Sequence, residues 1–472
     1  MREEGDSGMM KAGQISPHSV TPSSRQLAFL ALKAIHKGGF ADVVLDKTLN
    51  QTELTSLDRR FVTELVYGTI RRQRTLDALI DQLAKRPAQE QPADLRWLLH
   101  LGLYQLRFLG QVPASAAVNT TVDLAKQNGF AGLAGFVNGL LRQYLRLKEQ
   151  ASGEILQLPT DPVQRLGMLH SFPDWIIQVW LDQLDLAATE QLCQWMNQPP
   201  HLDLRLNPLG TTRETLETAL TAAGITYQRL PHLPHALRLR EAGRIEQLPG
   251  FAEGWWMVQD SSAQLVGYLV DPQPGEVVVD ACAAPGGKTL HLAELMQDQG
   301  EIWACDRTPS RLKKLQQNLD RLGFQSIRIH IGDSREATQF VGRCDRVLLD
   351  APCSGLGTLN RHADARWRQT PGTIQELAQL QRELLTASAT YVKPGGTLVY
   401  ATCTLHPAEN EQVIQSFLQH HPAWEIAPPA PDSPPAAFAT PEGWIKVWPQ
   451  QKDMDGFFMV RLQKATANIA NC

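Results

Sequence analysis

Residues 276–295, EVVVDACAAPGGKTLHLAEL, constrain the fold of this chain more than any other stretch. EVVVD is a short β-branched run with the turn signal PQPG before it and small residues after it, the pattern of a buried parallel strand. It leads into Pro285, Gly286 and Gly287, after which Leu290, Leu292, Ala293 and Leu295 keep roughly helical spacing. Strand, glycine turn and helix in that order make a cofactor cradle. The glycines let backbone N–H groups approach a ligand, and the helix N-terminus adds partial positive charge.

The ligand class follows by elimination. GGKT resembles the end of a phosphate-binding loop, but that motif needs a glycine where Cys282 stands, which weakens the nucleotide-triphosphatase reading. A dinucleotide G-x-G-x-x-G is absent as well. An adenosyl cofactor remains, its ribose held by an acidic residue at the end of the next strand. EIWACDR, residues 301–307, puts Asp306 there.

From residue 250 onward strands and helices alternate: EVVVDA, EIWACD, SIRIHIGD, DRVLLDAPCSG, GGTLVYATCTL and DGFFMVRLQ, with helices between them that include a long one near 372–392. Alternation of this kind predicts a parallel, doubly wound sheet with ligands outside the carboxyl ends of its strands. Asp280, Asp306, Asp333 and Asp350 each close a predicted strand, so four carboxylates are expected on one rim.

A chain of 472 residues is too long for one core, and length alone favours about three domains. No apolar run approaches the ~18 residues of a membrane span. Residues 1–22 are polar and read as a disordered leader rather than a secretory signal. The seven cysteines (193, 282, 305, 344, 353, 403 and 472) are never closer than nine positions, so no metal site is expected and free thiols in a reducing cytoplasm are. The net charge of −4 conceals an asymmetry: residues 23–150 hold 17 Lys and Arg against 11 Asp and Glu, a balance of +6, and the remainder carries −10. A basic module on an acidic body fits a polyanionic partner, although a solvated helical surface carries the same excess.

Residues 23–150 read as a helical bundle, with apolar residues recurring at three and four and breaks at Gly38-Gly39, Pro87, Pro92, Gly110 to Pro113 and Gly129. Arg59, Arg60, Arg71, Arg72 and Arg74 cluster around its second helix as either a solvated face or an RNA-contacting patch. A boundary is expected near 150–160. Residues 160–248 read as a small α+β subdomain, with strand, helix and strand over 201–240. The α/β domain takes in 250–465.

At DACAAPGGKT (280–289), DAPCSGLG (350–357) and YATCTLHPAENE (400–411) the chain resembles the Fmu/Sun family of RNA cytosine carbon-5 methyltransferases. The likeness extends to FVNGLLR (136–142), SFPDWI (171–176), WWMVQDSSAQL (255–265) and DGFF (455–458). The helical region is similar to the NusB-like RNA-binding domain that marks the bacterial small-subunit ribosomal RNA enzyme of that family. The implied fold is therefore an all-α NusB-like bundle, a small α+β subdomain and a doubly wound, Rossmann-like methyltransferase domain.

The chemistry agrees with this resemblance. Carbon 5 of cytosine is too weak a nucleophile to take a methyl group unaided, so a thiolate must first add to carbon 6. A proton donor at the ring nitrogen eases that addition, and a base must later remove the carbon-5 proton. Two cysteines follow strand ends, Cys353 and Cys403. The resemblance makes Cys403 the nucleophile and Cys353 the residue that assists release. DNA methyltransferases of the same chemistry use the PC cysteine for attack, so swapped roles are the alternative. It also implies that Asp350 hydrogen-bonds the cytosine, that Cys282, Ala283, Ala284, Pro285, Gly286, Gly287 and Lys288 wrap the methionine part of S-adenosylmethionine, and that Asp306 holds its ribose and Asp333 its adenine. Lys288 is left open between a substrate phosphate and Asp350. The implied partner is small-subunit (16S) ribosomal RNA. The alternatives are a tRNA cytosine methyltransferase and a non-catalytic NusB-like assembly factor. Cys193, Cys305 and Cys344 are expected in the core, Cys282 is expected to contribute backbone, and RHADARW (361–367) is either a substrate-contacting or a solvated loop.

Overall fold

The computed structural model describes residues 22–151, 153–240 and 243–466. Residues 1–21 of the expected leader and Cys472 lie outside them. Packing divides the described residues into two compact units, one holding 22–69 with Gln89–Glu149, the other Ile70–Ala88 with 150–466.

The first unit is helical. Ser23 caps the helix Ser24–His36 by accepting from the Gln26 N–H, and that helix buries Leu27, Phe29 and Leu32. The helix Ala93–Phe108 is buried from Trp97 through Leu106, on all its faces, as a central helix must be. Ala114–Gln127 and Ala134–Gln150 pack their apolar stripes around the same core. Two details depart from the sequence expectation. The helix Ala41–Asn50 gives little sequence signal, because it buries only Ala41 and Leu45, too few to make a stripe. The run from 58 to 85, which reads as one helix, is two: Ser56–Arg71 and Gln73–Leu83, broken at Arg72 where ψ is 12°.

In the second unit, Gln73–Leu83 packs on the helices Pro162–His170 and Asp174–Leu181, with the Thr75 hydroxyl donating to the Met168 carbonyl at 2.7 Å. Their core holds Phe172, Ile176, Ile177 and Trp180. A four-stranded antiparallel sheet follows, formed by β1 (Leu202–Leu206), β2 (Thr226–Arg229), β3 (Ala236–Arg240) and β4 (Trp256–Val258) in the order β2-β3-β1-β4. The helix Arg213–Ala222 belongs to the same small domain. In the strand, helix and strand expected over 201–240, the second strand is the hairpin β2–β3, and β4 comes from WWMV farther along.

The large sheet comprises β5 (Val277–Asp280), β6 (Glu301–Asp306), β7 (Ile327–Ile331), β8 (Cys344–Asp350), β9 (Val392–Thr402), β10 (Trp424–Ile426), β11 (Ile445–Val447) and β12 (Phe457–Lys464). Its order is β7-β6-β5-β8-β9-β12-β10, with β11 also paired to β12. Strands β5 to β9 are parallel, as expected. The sheet as a whole is mixed, since β12 runs antiparallel to β9, β10 and β11. A parallel strand needs a crossover, usually helical, whereas β11 is joined to β12 by the short connection 448–456, which reverses the chain.

Side chains alternate between two apolar layers. Val278, Ile302 and Leu348 face the helices Ser261–Val270, Gly287–Leu295 and Pro309–Leu322. Val279, Val347, Leu349 and Tyr400 face the helices Pro371–Tyr391 and Glu411–His420. The strand order turns outward in both directions from β5, so the crevice for a ligand opens at the carboxyl ends of β5 and β8.

Candidate active site

A cavity of about 530 Å³ lies at that crevice. Cys282, Ala284, Pro285 and Lys288 of the glycine loop line it, with Asp306, Asp333, Asp350, Cys353, Cys403 and Phe457. Of the four strand-end aspartates, three face this space. Asp280 does not: it is buried, and one of its oxygens accepts from the Thr289 hydroxyl at 2.7 Å. Burial pushes its pKa up to about 7. It is an internal tie between β5 and the following helix rather than a wall of the cavity.

Ala283, Gly286 and Gly287 form the loop behind the cavity wall. The Ala283 N–H donates to the Cys305 carbonyl at 2.8 Å, fixing the loop to β6. Gly286 has φ +107°, and a Cβ there would meet the Leu315 side chain at 2.5 Å, so only glycine fits. The small domain braces the same turn. Arg205 on β1 is fully buried, grips both oxygens of Glu294 at 2.7 Å and donates to the Gly287 carbonyl at 2.8 Å. Nothing in LDLRL marked this arginine, because its partners are 82 and 89 positions away.

Asp306 accepts from the Thr308 N–H at 2.8 Å and the Ala284 N–H at 3.3 Å, which turns its carboxylate along the loop. Arg335 pairs with Asp333 at 2.7 Å and, through hydrogen bonds, holds that carboxyl below the usual range. The Lys288 ammonium meets Asp350 at 2.6 Å and lies 5.0 Å from the centre of the Phe457 ring. Burial alone would lower the Lys288 pKa, but the adjacent Asp350 charge outweighs it and the net shift is upward. Of the two placements left open by the sequence, the structure thus puts Lys288 on Asp350. The thiols of Cys353 and Cys403 approach to 3.4 Å across the cavity floor. Contact with Cys403 and then burial push the Cys353 thiol well above its ordinary pKa.

The description 16S rRNA methyltransferase RsmB/F matches residues 267–463; a NusB family description matches 22–146, and an RsmF/B-like ferredoxin-like domain matches 172–246. The probable ribosomal RNA small subunit methyltransferase B of Synechocystis is 52% identical over 94% of this chain and 100% of its own length. The ribosomal RNA small subunit methyltransferase B of Serratia proteamaculans is 36% identical over 93% of this chain and 98% of its own. The chain belongs to the RsmB/F family of 16S rRNA methyltransferases. The crystal structure of PH0851 has the same fold, with a TM-score of 0.78 at 27% identity, covering 94% of this chain and all of the other.

In this RsmB/F chain the thiols are held by residues that the sequence reading did not single out. Glu409, fully buried, accepts from the N–H and hydroxyl of Ser354 and from the Thr404 hydroxyl, and so joins the residue after each cysteine. Asn410 accepts from the Thr402 hydroxyl at 2.6 Å and donates to the Thr404 carbonyl at 2.9 Å, bracketing Cys403. Both residues belong to the YATCTLHPAENE segment, which was the available signal. The Gly357 N–H donates to the Cys403 carbonyl at 3.0 Å, and the Gly456 N–H donates to the Gly357 carbonyl at 2.8 Å.

In RHADARW only His362 lines the cavity, while its two arginines are internal ties. Arg361 bridges Asp260 and Asp455 at 2.8 and 2.5 Å, tying the WWMVQDSS and DGFF segments together. Arg366 is fully buried, donates to the carbonyls of Arg71, Ser171, Met196 and Leu359, and lies 4.1 Å over the Phe172 ring. The arginine cluster of the N-terminal helices resolves in a similar way. Arg71 donates to the Asn360 carbonyl at 2.7 Å and Arg74 pairs with Asp174 at 2.6 Å, both as internal ties, while Arg60 is exposed. Cys193, Cys305 and Cys344 are buried core residues: Cys193 shares the helical core with the fully buried Trp180, and Cys305 and Cys344 lie in a core of the large sheet. Among the described residues no helix is long and apolar enough to cross a membrane, and no His, Cys, Asp and Glu group could hold a metal ion.

Proposed function

We propose that this protein transfers a methyl group from S-adenosylmethionine to carbon 5 of a cytosine in 16S ribosomal RNA, in the cytoplasm, through a covalent cysteine–cytosine adduct. The observation that carries the reading is the pair of thiols 3.4 Å apart beside the Lys288–Asp350 pair. A cavity of about 530 Å³ is of a size that suits a nucleoside-based cofactor. Its residues suit one as well: Asp306 for the ribose hydroxyls, Asp333 with the adjacent Leu380 and Leu384 for the adenine, and the Cys282–Lys288 loop for the methionine part. S-adenosylmethionine, when bound, supplies an electrophilic methyl group.

The remaining chemistry falls to the chain. Cys403, as thiolate, adds to carbon 6 and moves an electron pair to carbon 5. Asp350 holds the ring nitrogen and exocyclic amino group, and the Lys288 ammonium behind it supplies the positive charge that eases the addition. After methylation, a base takes the carbon-5 proton, the electron pair of that C–H bond re-forms the carbon 5–carbon 6 double bond, and the Cys403 thiolate is expelled. Cys353, kept protonated by its surroundings during attack, stands beside the breaking bond and assists release.

The test is a pair of substitutions. Cys403→Ser is expected to abolish turnover, and Cys353→Ser to accumulate a covalent RNA adduct visible on a denaturing gel. The reverse pattern would exchange the two roles, and no adduct from either variant would remove the covalent mechanism.

A further inference from the structure

Glu409 connects the two thiol-bearing loops through a single side chain. One carboxylate oxygen accepts from the Ser354 N–H at 2.9 Å and from the Gln381 amide at 3.0 Å. The other accepts from the Ser354 hydroxyl and, at 3.3 Å, from the Thr404 hydroxyl, and those two hydroxyls lie 2.8 Å apart. Ser354 follows Cys353 and Thr404 follows Cys403, so each donor is one residue from a thiol. The bridge is anchored from behind, since the Tyr400 hydroxyl donates to the Glu409 carbonyl at 2.6 Å. Glu409 is absent from the cavity wall and touches neither thiol, so it is not a catalytic residue.

We infer that Glu409 is a positioning residue, a carboxylate staple that sets the separation of Cys353 and Cys403 and thereby couples attack to release. The inference rests on the cysteine mechanism proposed above. If the staple is lost, Cys403 keeps its place at the end of β9 through Asn410, while the Cys353 loop loses its carboxylate tie and keeps the amide bonds of Gln381 to the Pro352 carbonyl and of Gln369 to the Ser354 carbonyl, which leave the thiol separation unset. Attack then continues and release fails. A residue that merely supported the fold would lower both together.

Glutamine discriminates the two. Its carbonyl can face the Ser354 N–H and the Gln381 amide, and its NH₂ can donate to the two hydroxyls, so Glu409→Gln retains the bridge without the charge. Glu409→Ala removes it. The measurement is the rate at which Cys353 and Cys403 form a disulfide when the full-length protein is treated with an azodicarboxamide oxidant, followed by mass spectrometry. The two thiols lose two hydrogens, and the diazene is reduced to a hydrazine. This rate does not depend on methyl transfer, so it tests the staple even if wild-type protein methylates nothing.

Glu409→Ala is expected to oxidise on the order of tenfold more slowly than wild type, as loss of hydrogen bonds to a charged group implies. Its methylation reaction should also accumulate RNA adduct while kcat falls. Glu409→Gln should restore most of both properties. Ser354→Ala, which keeps the carboxylate and removes one donor, should be intermediate, and it carries the test if Glu409→Ala does not fold. Oxidation of Glu409→Ala or Ser354→Ala at the wild-type rate would overturn the inference, as would a Glu409→Gln protein as impaired as the alanine variant.

Discussion

Asp280 lies at the end of β5 with its carboxyl shut away from water, and this makes a single residue readable in a titration. Its pKa is about 7 in the folded chain, against roughly 4 for an unperturbed aspartate. The folded state therefore binds a proton that the unfolded state releases between those values. The stability that this group contributes is complete below about pH 4, is lost as pH rises toward 7, and is level above that. Asp280→Asn should flatten this part of the stability curve and raise the unfolding midpoint at pH 8 relative to wild type, with little change near pH 4. Thermal unfolding at several pH values checks it, and parallel curves for the two proteins would contradict it. Legibility at this scale divided along sequence distance. Cys353, Cys403, Asp350 and Asp306 could be found because each closes or follows a strand inside its own motif. Arg205 and Arg361 act on partners in other segments, and no local pattern in a linear chain displays such pairs, while Glu409 lies inside a legible motif but reaches Ser354 in another segment.

At the scale of elements, the PC loop, the turn after β9 and the entry to β12 meet backbone to backbone. A Cβ on Gly357 would lie 2.0 Å from the Gly456 carbonyl oxygen and 2.8 Å from that of Cys403. Backbone cannot yield as a flexible side chain does, so Gly357→Ala must push the loops apart. It is expected to cost about 1–3 kcal/mol of stability, and, by displacing Cys403 and Cys353, to lower kcat on the order of a hundredfold. Cofactor affinity should change much less, because the Cys282–Lys288 loop lies on other strands. Calorimetric cofactor titration beside single-turnover rates separates the two, and equal losses in both would contradict this placement. The alternation of strands and helices made the parallel half of the sheet legible from β5 to β9. The antiparallel insertion of β12 was hidden, because an isolated run such as FFMVRLQK carries no direction, and only the length and content of its connection determine it.

Over the whole molecule, the units do not follow the chain in order. Residues 70–88 lie between two stretches of the helical unit, yet they pack in the second unit, where Arg74 binds the Phe172 carbonyl and Asp174, Gln82 binds the Ile155 carbonyl, and the Trp367 indole donates to the Ile70 carbonyl. A chain cut to begin at residue 151 should therefore unfold several degrees below the full-length protein, on the order of the loss of a few buried ties. A version that retains 70–88 through a short linker should recover much of the difference. Equal midpoints for the cut and full chains would contradict this division. The charge balance of +6 over residues 23–150 against −10 elsewhere was legible from composition and suits a polyanionic partner, though it could not reveal which arginines are internal ties. The decisive measurement is transfer of a labelled methyl group from S-adenosylmethionine to protein-free 16S ribosomal RNA, followed by nucleoside analysis. Label recovered in 5-methylcytidine is the predicted result; label in any other nucleoside, or none in RNA from protein that binds the cofactor, would contradict it.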